Sequence, residues 1–484
     1  MKEETTFGEL KNSGFVHKSM SEELQANLID RIKQEKPAFE GLWGYEDTVV
    51  PQLKKAILAG HHINLLGLRG QAKTRIARSM VDLLDEYMPI VKGSEINDSP
   101  FEPISKYAKD LLDEKGDETP IEWVHRSQRF FEKLATPDVN VSDLIGDIDP
   151  IKAATLKLPY SDERVLHYGM IPRANRCIFV LNELPDLQAR IQVSLFNILQ
   201  EGDVQIRGFQ LRMPLDIQFV FTANPEDYTN RGSIVTPLKD RIGSQIFTHY
   251  PKTIELAKSI TAQEAKISDE DRSRVFVPEL ARDLLEQVAF EARESEYVDA
   301  KSGVSARMTI SAMENLIAGT KLRSIESANE RTAVRLIDFM SIIPSITGKI
   351  ELVYEGEQEG AAEVAKLLID RAVVSTFERF FPRVPKLEKE GVKTPFTDII
   401  AWFDSNYLEL NYNDHDDAFI ENLSSIEPLG KLLDEYCPDL SGSNRAFCME
   451  LVIWSLAVSD KLDKTSTENT FKFDAEGMNQ SYFG

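Results

Sequence analysis

Cysteine is scarce: Cys177, Cys437 and Cys448 are the only three in 484 residues, and their spacing is irregular. Such a set builds neither a zinc framework nor a disulfide scaffold. Long apolar runs are also missing. The stretches at 177–181 and 217–221 are of strand length, far short of the roughly 20 residues that a membrane-crossing helix needs. Residues 1–15 are polar and acidic and lack the apolar segment of an export signal. The expectation is a cytoplasmic protein of a reducing compartment with no membrane partner. Basic charge is in deficit, with 56 Lys and Arg against 79 Asp and Glu and a formal charge of −23. A general nucleic-acid or anionic-membrane binder needs a basic face to displace counterions, so both classes are disfavoured. Disorder is excluded, because 42% of the residues are hydrophobic and the charges are mixed in sign. The length suits two or three domains.

What is present is an alternation of short apolar strands and amphipathic helices. A Lys- and Glu-rich helical lead-in occupies 21–39. Strand candidates then lie at 63–66, 130–135, 177–181, 217–222 and 245–248, with helical patterns at 74–87, 187–201 and 253–266. This alternation predicts an α/β fold with a parallel sheet covered on both faces. Two stretches interrupt it: a polar, proline-punctuated segment at 93–120 and a loop-rich insert at about 142–174. Beyond 278 helical periodicity dominates. The expected division is a lead-in (1–40), a nucleotide-binding core (41–265), a helical lid (266–382) and a mostly helical C-terminal module with a polar tail (383–484). The proline- and lysine-rich stretch 382–393 is the expected linker, and the polar tail Asp463–Gly484 is expected to be loose at its end. The acidic run 351–359 reads as a solvated loop.

The chemistry concentrates at strand ends. The strand at 63–66 runs into Gly67-Leu68-Arg69-Gly70-Gln71-Ala72-Lys73-Thr74 and then a helix, the strand–loop–helix setting of a phosphate loop. Gly67, Arg69, Gly70, Gln71 and Ala72 offer backbone N–H groups to phosphate. Lys73 can neutralise the β/γ oxygens, and the Thr74 hydroxyl can sit on Mg²⁺. The glycine usual before the lysine is Ala72. A second strand ends in Asn182-Glu183. In phosphate-loop ATPases this position reads Asp-Glu, the Asp holding the water shell of magnesium and the Glu polarising the attacking water. Glu183 is present, whereas Asn182 accepts hydrogen bonds without adding charge, so weaker magnesium affinity or slower turnover is expected. A third strand leads to Asn224, whose amide can reach the attacking water or the γ-phosphate. Arg241 is a candidate arginine finger, with an ion pair to a neighbouring carboxylate as its plain alternative. Arg307, at the start of a later helix, is a candidate γ-phosphate contact from the lid.

This order of motifs resembles the AAA+ ATPases, in the clade of the magnesium-chelatase ATPase subunit and the MoxR-type proteins. Alanine before the lysine is similar to MoxR loops. The insert Asp143-Leu144-Ile145-Gly146-Asp147-Ile148-Asp149 with Tyr168-Gly169-Met170-Ile171-Pro172-Arg173-Ala174 resembles the helix-two insert of the chelatase subunit. The stretch from Gln200 to Arg212 reads as the β-hairpin before the third motif-bearing strand. Gly41-Leu42-Trp43-Gly44-Tyr45 resembles the segment that contacts adenine, which implicates Gly44 and Tyr45. The resemblance spans about 40–380 and departs from the family at Asn182. It implies ATP and Mg²⁺ as ligands and a homo-oligomeric ring, commonly hexameric. ATP would lie at subunit interfaces, with Arg241 supplied by a neighbour. It also implies a protein partner, in the family of von Willebrand factor A type.

The expected function is an ATP-hydrolysing motor that remodels a protein partner or a protein–cofactor assembly. Nothing in the sequence binds a macrocycle, so a chaperone-like role is favoured over metal insertion. The alternatives are a nucleotide-gated scaffold with little turnover, because of Asn182, and a DNA-acting relative, which the acidic surface disfavours.

Overall fold

The structure, a computed structural model, describes residues 4–160, 162–201, 203–204, 206, 213–225, 233–385, 393–466 and 470–475. The chain forms two compact units, Met1–His249 and Tyr250–Gly484. No helix among the described residues is long and apolar enough to cross a membrane.

The first unit is built on a five-stranded, all-parallel sheet. Its strands are β1 (Ile63–Leu66), β2 (Phe130–Leu134), β3 (Cys177–Asn182), β4 (Ile217–Ala223) and β5 (Ser244–Phe247), in the spatial order β5-β1-β4-β3-β2. All five coincide with the expected strands to within a residue or two. Alternation of side chains splits β3 between two cores. Cys177, Phe179 and Leu181 face one layer with Phe219, Phe221 and the helix Ala189–Glu201. Ile178 and Val180 face the other, with Ile63, Leu65 and the helices Met20–Lys33, Val49–Leu58 and Lys73–Ser79. Covering both faces is why these strands read as continuous apolar runs. Cys177 is buried with its thiol pKa pushed up to about 12, chiefly by burial, so it packs as an inert small apolar group. The lead-in helix is clasped to the sheet by a buried ion pair. Arg129, just before β2, donates from Nη1 and Nη2 to the Glu23 carboxylate at 2.7 and 2.6 Å.

The two interruptions hold more structure than their composition suggests. Tyr87–Val91 pairs antiparallel with Ile121–His125, and the helix Lys106–Lys115 lies between them. The buried Asp98 organises this polar stretch by accepting from the N–H groups of Ile104 (2.6 Å) and Ser105 (2.8 Å) and from the Ser105 hydroxyl (2.6 Å). Such order comes from side chain–backbone bonds that leave no apolar period in the sequence. In the 142–174 insert, Gly146–Ile148 pairs antiparallel with Leu166–Tyr168, and Asp149 caps the helix Pro150–Leu156. The hairpin read at Gln200–Arg212 is present at its base, where Asp203–Val204 pairs antiparallel with Met213–Pro214. Residues 207–212 lie outside the described residues.

The second unit is mainly helical. The helices Glu279–Glu294, Arg307–Glu326, Ala361–Phe377 and Gly442–Val458 contribute to one hydrophobic core. Most of the expected linker, 386–392, lies outside the described residues. The start of the polar tail holds strands that its composition does not announce: Leu462–Ser466 and Thr470–Ala475 belong to a three-stranded antiparallel sheet with Leu408–Asn411. The end of the tail, 476–484, lies outside the described residues. Phe471 and Phe473, at the period of two that a strand requires, close on Trp454 with ring centroids 4.8 and 6.4 Å away. One expectation fails here: the run 351–359 is not a loop throughout, since Tyr354–Glu359 is helical. Among the described residues no group of three or more His, Cys, Asp and Glu side chains is arranged to hold a metal.

A buried polar network crosses this second core. Arg323 and Asp338 are fully enclosed and joined by Nε–Oδ1 and Nη2–Oδ2 bonds of 2.9 Å each. Arg335 pairs with Asp416 at 2.7 Å. Two arginines thus face two aspartates, and a third carboxylate, Glu450, accepts the Leu336 N–H at 3.0 Å. Burial pushes the Glu450 pKa from 4.5 to about 8, against the pull of Leu336 N–H and Arg335 and with a further push from Asp338. The folded state therefore holds a proton that the unfolded chain releases above pH 4.5. That contribution is full below pH 4.5 and is lost as the pH climbs to about 8. Denaturant midpoints for the second unit are expected to fall between pH 5 and pH 8 in the wild type, and to fall less in Glu450→Gln, which mimics the protonated acid. Equal slopes in the two proteins would show that Glu450 is ionised.

Candidate functional site

The strand order reverses between β1 and its neighbours β4 and β5, and the carboxyl ends flanking such a reversal are where open α/β sheets bind ligands. Every strand-end motif read from the sequence falls on this edge. Ala223, the last residue of β4, is in register with Leu66 of β1, and its carbonyl accepts the Gly67 N–H at 3.1 Å. Asn224 follows immediately and is buried. Asn182 ends β3, and Glu183 is the next residue.

The loop after β1 is shaped by backbone demands. A Cβ placed on Gly67 would lie 1.9 Å from Thr248 Oγ1 and 2.2 Å from Gln71 Oε1, so only glycine fits. Those two atoms are bonded to each other at 2.8 Å, and Thr248 N–H donates to Leu66 O at 2.7 Å. Gln71 is thus a buried strut to the end of β5. Gly70 takes φ +72° and Ala72 takes φ +54°, ψ +18°. The left-handed conformation at Ala72 explains why glycine is the usual residue there. Alanine accepts it at a cost of about 1–2 kcal/mol. Lys73 opens the helix; its ammonium, buried against the loop, donates to the carbonyls of Gly67 and Leu68, the latter at 3.2 Å. Thr74 is half-buried, and Arg69 is exposed.

Gly44 has φ +78°, which turns the chain into Tyr45. The buried Tyr45 hydroxyl lies 2.9 Å from both Gln71 O and His249 O, and the His249 ring is held in turn by Thr48 Oγ1 at 2.8 Å. The segment read as an adenine contact therefore also braces the phosphate loop from the side.

Around Asn182 a continuous line of hydrogen bonds crosses three strands. Arg78 Nη2 donates to Glu132 Oε2 (2.6 Å), and Asn182 Nδ2 donates to Glu132 Oε1 (2.6 Å). Thr222 Oγ1 donates to Asn182 Oδ1 (3.1 Å) and accepts the Glu183 N–H (3.1 Å). Glu183 itself has φ +55°, a strained value for a side chain with a Cβ and one that concentrates at functional positions.

Arg241 ends the helix Thr236–Arg241. Its Nη1 meets Asp240 Oδ2 at 2.6 Å, and its guanidinium carbon lies 5.6 Å from the Phe196 ring centre. The neighbouring-carboxylate pair weighed from the sequence is thus present, on a side chain that stays 41% exposed. Arg307 is the exposed first residue of Arg307–Glu326 in the second unit, its N–H bonded to Ser305 Oγ at 3.1 Å. The sequence reading did not find Thr248, Thr222 or Glu132. The first two are single threonines at strand ends, and Glu132 stands in an aromatic strand with no motif around it.

A family model described as the sigma-54 interaction domain matches residues 159–242. The magnesium-chelatase 38 kDa subunit of Cereibacter sphaeroides is 25% identical over 216 residues, which cover 43% of this chain and 57% of that protein. The chloroplastic magnesium-chelatase subunit ChlI-2 of Arabidopsis thaliana is 25% identical over 251 residues, 50% of this chain and 56% of that one. The chain spans a little over half the length of these curated relatives. Among solved structures, a putative ATPase from Cytophaga hutchinsonii aligns with 75% of this chain and 97% of its own at 17% identity and a TM-score of 0.31. A chain of the complex between subunits BchI and BchD of magnesium chelatase, based on a cryo-EM reconstruction, aligns over 66% and 97%, at 19% identity and a TM-score of 0.35. The matched sequences and the motif-bearing edge of the sheet agree in supporting an AAA+ ATPase similar to the magnesium-chelatase subunits.

Proposed function

We propose that this protein binds and hydrolyses ATP as a ring of like subunits and uses the cycle to remodel a protein partner. The observation that carries the proposal is the convergence of Gly67–Thr74, Asn182-Glu183 and Asn224 on one edge of the sheet, tied together through Ala223 O and Thr222. The residues present suit a triphosphate with magnesium. The loop tolerates no Cβ at Gly67, an ammonium lies buried against it, and a hydroxyl, an amide oxygen and a carboxylate are available at Thr74, Asn182 and Glu183. Magnesium, when bound, neutralises charge on the phosphate oxygens.

In this reading Lys73 and the N–H groups from Gly67 to Lys73 take the phosphates, with Arg69 and Gln71 flanking them. Thr74, Asn182 and Glu183 hold the metal and its waters. Glu183 polarises the attacking water, and Asn224 orients it. Gly44 and Tyr45 border the adenine, and Arg307 answers to the γ-phosphate. Arg241, contributed by a neighbouring subunit, stabilises charge on the transferred phosphoryl group and makes hydrolysis conditional on assembly. The partner is proposed to be a protein, of von Willebrand factor A type as the family resemblance implies, and the setting cytoplasmic. Magnesium-dependent ATP turnover across protein concentration tests the reading. Turnover per subunit is expected to rise with concentration. Concentration-independent turnover rejects the shared site, and failure to take up nucleotide at millimolar levels rejects the whole proposal.

A further inference from the structure

The family position that normally carries an aspartate holds Asn182, and the structure places a different carboxylate beside it. Glu132, on the neighbouring strand β2, accepts from Asn182 Nδ2 at 2.6 Å. An asparagine side chain can present either its oxygen or its NH₂ in a given direction. Only the oxygen can accept from a metal-bound water. An ionised carboxylate accepts and never donates, so with Glu132 on one side the NH₂ must turn to it. Thr222 closes the other choice. Its hydroxyl already accepts the Glu183 N–H (3.1 Å), which leaves its proton for Asn182 Oδ1 (3.1 Å). Both neighbours select the same amide orientation, and the second lone pair of Oδ1 remains as the accepting end of the side chain.

Charge points the same way. A carbonyl oxygen whose own NH₂ is bonded to an anion is polarised toward greater negative character, as in any cooperative hydrogen-bond chain. The second oxygen of Glu132 is held by Arg78 at 2.6 Å. That arginine is 63% exposed and therefore screened by solvent, whereas Glu132 is 25% exposed.

We propose that Glu132 is the positioning residue that lets Asn182 serve in place of an acid: it fixes the amide with its oxygen available to the magnesium water shell and supplies the missing negative charge from one hydrogen bond away. The inference rests on the ATP-binding reading above and deepens it. In this site the acid has moved one strand outward rather than being lost.

The test is binding of a β,γ-imido ATP analogue to the full chain by calorimetry, in EDTA and across a magnesium titration. The proteins are the wild type, Glu132→Gln and the exchanged pair Glu132→Gln/Asn182→Asp. In Glu132→Gln, binding in EDTA is expected to match the wild type. The magnesium concentration for half-maximal enhancement is expected to rise by about 10–100-fold, the usual effect of removing an outer-shell partner. The exchanged pair, which returns the acid to position 182, is expected to recover the wild-type curve. A purely structural role for Glu132 would move binding in EDTA and give no recovery. An unshifted magnesium curve in Glu132→Gln overturns the proposal, as does an exchanged pair no better than Glu132→Gln alone. Should Glu132→Gln fail to fold, the exchanged pair carries the decision alone, and a curve 10-fold or more to the right of wild type overturns the proposal. Absence of nucleotide binding by the wild type overturns the ATP reading itself, a result separable from either of these.

Discussion

Arg241→Ala is expected to lower ATP turnover per subunit by about 10³–10⁵-fold, the range associated with removal of an arginine finger, at protein concentrations where wild-type turnover has reached its plateau. Nucleotide affinity is expected to change far less. The local surroundings of Arg241 sharpen the test. Its partner Asp240 is 70% exposed and its own side chain 41% exposed, and ion pairs of that kind contribute about 0–1 kcal/mol. The guanidinium can therefore leave Asp240 for a phosphate at small cost. If the pair with Asp240 is instead the whole role of Arg241, the alanine variant keeps its turnover and loses under about 1 kcal/mol of stability. Arg241→Lys separates the two further, because a lysine preserves the pair with Asp240 and lacks the planar fork that suits a phosphoryl group. Phosphate release by the three proteins, with melting curves alongside, reads both effects.

Glu183→Gln is expected to reduce turnover by about 10²–10⁴-fold, the span of a general base or water-polarising group, while ATP stays bound. The substitution keeps the side-chain volume. It also keeps the backbone bond that supports the turn, from the Glu183 N–H to Thr222 Oγ1. The left-handed backbone at φ +55° is the same for either side chain. A motor should thus stall with nucleotide trapped, detectable as ATP retained through gel filtration. A scaffold that uses ATP only as a structural ligand should turn over at the same low rate before and after the change. Indistinguishable rates would therefore favour the scaffold and count against the motor.

Much of this was legible in the sequence, for identifiable reasons. Strands buried on both faces leave unbroken apolar runs, so β1, β3 and β4 were found nearly to the residue. Candidate groups at strand ends sit next to those runs, which is why motif reading could single out Lys73, Asn182, Glu183 and Asn224 as candidates. Order maintained by polar side chains was invisible: Asp98 organises the 93–120 stretch through three hydrogen bonds, and no periodicity records them. The strands at the C-terminus were missed because charged residues outnumber the two phenylalanines that pin them to Trp454. Glu132 escaped for a different reason. Its role depends on which strand lies beside β3, and the pairing of Leu134 with Asn182 is a fact of topology alone.

Tyr45 carries one hydroxyl proton and faces two carbonyl oxygens, Gln71 O and His249 O, at the same 2.9 Å. A single proton serves one acceptor well at any instant, so the two carbonyls share one donor. Gln71 lies in the loop that would wrap a nucleotide, and His249 is the last residue before the chain passes into the second unit. The phenol thus ties the loop to the last residue of the first unit, alongside the side-chain strut from Gln71 Oε1 to Thr248 Oγ1.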